Sequence, residues 1–262
     1  MAAITTTVLE KMSTAQIQSM NTSAVALLST TQIGKLTNAQ VGAFSAEQIK
    51  ALTNNQVVAL TTSQAHSLSG EQVSAMTTRQ IAMLESADFA QLSTDAIGAL
   101  STAQVRAMTN AQVGALTTDQ IGQLGASEVG ALTSTQITSL KRDALAAMGA
   151  EQVQAIKPTV VAAMTTSQIS GLTNAQVSDL TVAQAKSLTV GQVGAFTSSQ
   201  ISQLGAEQMG ALTGAQIGAI SSNVISKMTP DQISAIGVNA VSGLTVGQLS
   251  KFTTDQVTSL TQ

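Results

Sequence analysis

Leu36-Thr37-Asn38-Ala39-Gln40-Val41-Gly42-Ala43-Phe44 decides the reading, because the rest of the chain repeats it. Written as Thr-x-x-Gln-Val-x-x-Leu, thirty-two octads run from Thr5 to Leu260 without insertion or deletion. Column eight is always Leu, Met, Ile or Phe, and column five is always apolar. Thr or Ser fills column one in twenty-four octads and Gln fills column four in twenty-three, so the pattern is too regular for chance.

Thr-x-x-Gln before an apolar residue is a capping box. The Thr hydroxyl accepts from the N3 amide, and the Gln side chain reaches back to the N-cap amide. Leu36 at N′ and Val41 at N4 form the accompanying hydrophobic staple. Three further columns agree with a short helix in each octad. Pro158 and Pro230 both sit in column two, the N1 position where a missing N–H costs nothing. Nine acids, among them Glu47, Asp119 and Asp231, occupy column three in the first turn. Seven bases, among them Lys35, Lys50 and Arg106, occupy columns six and seven near the carbonyl end. A helix dipole favours this asymmetry, whereas a β-solenoid gives no reason for it.

One continuous helix is excluded by geometry. Eight residues advance about 800°, so the apolar pair rotates about 80° per octad and never forms a stripe. Breaking the helix at each Thr keeps the pair facing one axis. A helix of about six residues is unstable alone and survives only by stacking. The expected fold is therefore all-α, an α-solenoid (superhelix) of about thirty-two short capped helices, one per eight-residue repeat. It forms a single repeat domain over residues 1–262. With column five at 0°, column eight falls near 300° and column three points directly away. Nine glycines fall in column six, and column seven is Ala, Ser or Gly in twenty-two octads, which predicts close approach of neighbouring coils. The alternation Ile17, Val25, Ile33, Val41, Ile49, Val57 predicts two octads per coil, giving a rod on the order of 140 Å. Three per coil shortens it.

Composition removes whole classes of function. The formal net charge is −3 with no basic stripe, so nucleic acid and anionic membranes have no electrostatic case. Lys141, Arg142 and Lys157 form the one local basic cluster, and it reads as a solvated edge. There is no cysteine, hence no disulfide framework and no thiol or Cys-based metal chemistry. Thr and Gln interrupt every octad, so no apolar run is long enough to span a bilayer. Met1-Ala2-Ala3-Ile4 runs straight into the first octad and leaves no room for a signal peptide. His66 is the only histidine and lacks Cys or carboxylate partners at ligand spacing. No Ser or Thr has a His partner to activate it. Glu85 and Asp88 make a local acidic spot, which reads as a variant cap rather than a metal site. The expectation is no enzyme, no catalytic residue, no metal site and no cofactor.

Met228–Ile236 resembles the first helix of a TAL-effector repeat over nine residues, sharing only the capped helix start. That family's longer period, second helix and base-reading loop are missing, so DNA reading is not carried over. The whole array, with Leu116-Thr117-Thr118-Asp119-Gln120-Ile121 and Leu172-Thr173-Asn174-Ala175-Gln176-Val177 as representative stretches, resembles the octad arrays of large repetitive bacterial surface and secreted proteins. That resemblance implies an extracellular or cell-surface location and an adhesin-like or scaffold role. A binding solenoid gripping a peptide or protein is the rival expectation, although clustered aromatic or Arg anchors are lacking. Ice binding through ranked Thr hydroxyls is a weaker one. The first octad presents Val8, Leu9 and Met12 and the last presents Val257 and Leu260. These ends predict head-to-tail self-association into a filament, with the chain itself as the partner.

Overall fold

The computed structural model describes residues 5–260, and of Asn239 the backbone only. The segment Met1–Ile4, on which the expectation about a signal peptide rests, lies outside the described residues. Within them are thirty-two helices of four to six residues, α1 (Thr6–Glu10) to α32 (Thr254–Ser259), one per octad and numbered with it, and no strand. The fold class is all-α, as the caps and the charge columns require.

Each helix is short because the octad both starts and stops it. In α5 (Asn38–Gly42) the N-cap Thr37 is extended at φ −70° and ψ 157°, and its hydroxyl accepts from the Gln40 amide at 3.2 Å. Gln40 Oε1 accepts in return from the Thr37 amide at 2.9 Å. The preceding column-eight residue, Leu36, is also extended, at φ −58° and ψ 141°. Two extended residues in succession turn the chain, and the next cap restarts it. Pro158 and Pro230 occupy N1 of α20 (Pro158–Val161) and α29 (Pro230–Ser234). At Gly149 and Gly205 half the box remains, since Gln152 and Gln208 still accept from the N-cap amides at 2.8 and 2.6 Å.

Contacts group the chain into two units, Met1–Ala131 and Leu132–Gln262. In the first, α9 (Gly70–Ala75) packs on α12 (Thr94–Gly98), and α12 packs on α15 (Thr118–Gln123). In the second, α24 (Val190–Gly194) packs on α27 (Gly214–Ala219), and α29 packs on α32. Each helix thus meets the helix three octads away, the neighbour pattern of a repeat solenoid within each unit. Column-five residues such as Ile33, Val41 and Ile217 are fully buried, and column-eight residues such as Leu36 and Leu212 nearly so. Burying an aliphatic side chain contributes about 1.5–3 kcal/mol, which offsets the nucleation cost that no isolated six-residue helix can meet.

Two octads per coil is corrected by this pattern. Packing runs to the third neighbour and, as shown below, side-chain hydrogen bonds run to the fourth, so a coil closes between three and four octads. The alternation of Ile and Val reports side-chain volume in one column. It carries no information on the turn between successive helices, which the two extended residues set.

Close approach through column six is found at some glycines and not at others. A Cβ on Gly34, Gly98 or Gly194 would lie 3.3 Å from the column-seven carbonyl oxygen three octads on. At Gly210 the same gap is 2.9 Å, whereas at Gly122 nothing lies within 4 Å.

Candidate functional surface

The column-four glutamines make a ladder that the capping box alone does not reveal. Gln40 is 3% exposed, and its Nε2 donates to the carbonyls of Leu9 and Met12 at 2.9 and 2.8 Å. Gln48 does the same to Ile17 and Met20, at 2.9 and 2.7 Å, and Gln80 to Ile49 and Leu52, at 2.9 and 2.8 Å. In the second unit Gln184 reaches Val153 and Ile156, at 2.7 and 2.6 Å. Gln248 reaches Ile217 and Ile220, at 2.8 and 2.6 Å. The recipients lie four octads back: the column-eight carbonyl throughout, joined in most rungs by the column-five carbonyl and in others by the column-six carbonyl, as where Gln120 reaches Ala90 and Leu92 at 3.1 and 2.8 Å.

A helix of this length leaves nearly all its end groups unsatisfied. One Gln side chain serves both kinds of end at once: Oε1 takes an N-terminal amide of its own helix, and Nε2 supplies C-terminal carbonyls of another. This explains how the column-four amide can be buried from Gln40 onward, whereas Gln16 is exposed and Gln32 half-buried. Among the described residues no buried side-chain nitrogen or oxygen lacks a hydrogen-bond partner.

The residues that the sequence singled out are dispersed. His66 is exposed and its Nδ1 bonds the Gln91 carbonyl at 2.9 Å, in a depression of about 280 Å³ also lined by Asn38, Thr62 and Ser63. Lys141, Arg142 and Lys157 are exposed, and Arg142 lies over Gly171. Among the described residues no group of three or more His, Cys, Asp or Glu could hold a metal ion. Column-one hydroxyls are engaged as caps, as in Thr109 with Gln112 and Thr189 with Gln192, both at 3.2 Å, so they do not form a free ranked array.

Asp88 departs from the variant-cap reading. The helix α11 (Ser86–Phe89) has no side-chain cap, and Asp88 is 5% exposed in the column where Gln normally stands. Burial pushes its carboxyl above the ordinary value of 3.8; a hydrogen bond from Thr62 opposes this, and Glu85 adds to it. Glu128, the other acid in column four, is only half-buried and caps nothing.

Exposed apolar residues gather at the first and last described coils. Val8 and Leu27 are 55% and 84% exposed, but Leu9, which the first octad was expected to present, is fully buried in column five; Leu249 and Val257 are 48% and 51% exposed although both stand in that same column. In column two, Val182, Val190, Val238 and Val246 are also exposed. Among the described residues no helix is long and apolar enough to cross a membrane.

The ALTTAQ repeat family matches residues 1–38, 35–62 and 81–118. Its letters fall on columns seven to four, and Ala115-Leu116-Thr117-Thr118-Asp119-Gln120 differs from them at one residue. The chain is therefore a repeat protein, and over those stretches its repeat is of the ALTTAQ kind. No curated protein matches it.

Proposed function

We propose that this repeat protein is a non-enzymatic structural element, an extracellular or cell-surface spacer or adhesin-like scaffold that self-associates end to end into a filament. One observation carries the self-association. Column five is sealed in mid-unit, yet Leu249 and Val257 stay about half exposed on α31 (Val246–Leu249) and α32. Such a coil presents the surface on which another coil of octads packs, and a second copy of the chain supplies octads of the same register. Addition of this kind is heterologous, and where it does not close it grows as a fibre. The extracellular part rests on the resemblance to repetitive surface arrays.

Sedimentation over a range of concentrations tests the proposal, with electron microscopy of the same samples. Concentration-dependent association into thin fibres is expected. The double variant Leu249→Lys, Val257→Lys is expected to stay monomeric. A clean monomer at high concentration for the unsubstituted chain removes self-assembly and leaves the spacer.

A further inference from the structure

Two successive rungs of the glutamine ladder are missing in the first unit. Octads eleven and twelve carry Asp88 and Ala96 where Gln otherwise stands. By the register of the other rungs, the carbonyls of Val57 and Leu60, then those of Ala65 and Leu68, lie opposite them. Helix α11 packs against α8 (Thr62–His66) on one side and α14 (Asn110–Ala115) on the other.

The seam between α8 and α11 is bridged by titratable side chains. From α8, the Thr62 hydroxyl donates to the Asp88 carboxylate and His66 Nδ1 donates to the Gln91 carbonyl at 2.9 Å. Glu85 stands at the N-cap of α11 itself, and α14 carries no charged residue. No base therefore faces Asp88 from α11 or α14, and His66 is the one basic side chain on α8. A neutral carboxyl at this buried position still accepts from Thr62 and offers an O–H, the donor role that Gln plays elsewhere. An ionised one can only accept, with Glu85 beside it and backbone carbonyls opposite.

We propose that the α8–α11 seam is a pH-sensitive joint, closed when Asp88 is protonated and loosened when it ionises. The folded carboxyl holds its proton more tightly than the unfolded one. The stabilisation is thus complete below the ordinary value of 3.8 and is lost as pH rises through the raised folded value. The joint is tightest in acid, opposite to the usual behaviour of a salt-bridged Asp.

Hydrogen exchange of residues 57–68 and 85–92 between pH 4 and 7, corrected for intrinsic exchange, reads the opening directly. In the unsubstituted chain, opening is expected to rise at least about threefold across that range, while Asp88→Asn stays flat. Asp88→Gln, which completes the rung, is expected to exchange slowly throughout. Glu85→Gln keeps a pH dependence. Parallel pH profiles for the unsubstituted chain and Asp88→Asn overturn the proposal, since the dependence then comes from His66 or from elsewhere. Loss of the dependence in Glu85→Gln alone overturns it equally.

Discussion

Gln176 Nε2 lies 2.9 Å from the carbonyl oxygen of Met148, twenty-eight residues earlier, and equally close to that of Leu145. Its Oε1 meanwhile accepts from the Thr173 amide at 3.0 Å. These two jobs are separable. Gln176→Glu keeps the acceptor for the cap but turns a carboxylate toward two carbonyls that need a donor. Each buried partner left unsatisfied costs about 1–3 kcal/mol. At neutral pH, Gln176→Glu is therefore expected to destabilise more than loss of the Thr173 hydroxyl does, as read by urea denaturation. Equal stability of Gln176→Glu and the unsubstituted chain means that the ladder contributes nothing beyond the cap.

The caps themselves are tested one residue pair away. Thr173 Oγ1 accepts from the Gln176 amide at 3.1 Å, whereas Ala175 in column three is exposed. Thr173→Ala is expected to cost about 0.5–2 kcal/mol, and Ala175→Ser to change little. Similar losses at both positions contradict the assignment of column one as N-cap.

What the sequence made legible was local. A capping box spans four residues, and a staple spans six, so Leu36, Thr37, Gln40 and Val41 reveal their helix without reference to anything distant. The same is true of Pro158 and Pro230 at N1. Coil closure was not legible, because it depends on where Gln40 Nε2 finds Leu9 and Met12, about thirty residues away. The cap already accounts for the Gln, so nothing local asks for a second partner. Ile17 and Val25 were misleading for that reason: they vary along the chain, while the coil closes across it. Asp88 was missed in the same way. Its importance lies in occupying a column that the ladder buries, and a reading confined to its neighbours Glu85 and Phe89 sees only an imperfect cap. The half-buried Glu128 shows that an acid in column four does not by itself reveal burial.

Column five offers a comparison at constant chemistry. Ile217 is fully buried and Leu249 is 48% exposed, although both occupy the same place in their octads. Ile217→Ala is expected to cost about 2–5 kcal/mol through lost transfer energy and the cavity left behind. Leu249→Ala should cost less than about 1 kcal/mol in dilute solution, where half the side chain already meets water. If copies associate end to end, the effect of Leu249→Ala grows with protein concentration while that of Ile217→Ala does not. Thermal unfolding at two concentrations separates the cases, and equal losses for both variants in dilute solution argue that the last coil is covered.

The glycines give a prediction in which the sign changes between two equivalent positions. Gly122 and Gly218 both stand in column six, inside α15 and α27. A Cβ on Gly122 meets nothing within 4 Å, so alanine there gains helix propensity and loses no packing. The expected gain is about 0.5–1 kcal/mol. A Cβ on Gly218 would fall 2.6 Å from the carbonyl oxygen of Gly243, a backbone atom that cannot swing aside as a side chain does. Gly243 is itself packed against the Gly214 backbone, which leaves that coil no direction in which to retreat. Gly218→Ala is therefore expected to destabilise despite the same gain in propensity. Chemical denaturation of the two single variants decides the matter. Stabilisation by both leaves close coil approach with no role at Gly218, and destabilisation by both places an unseen contact over Gly122.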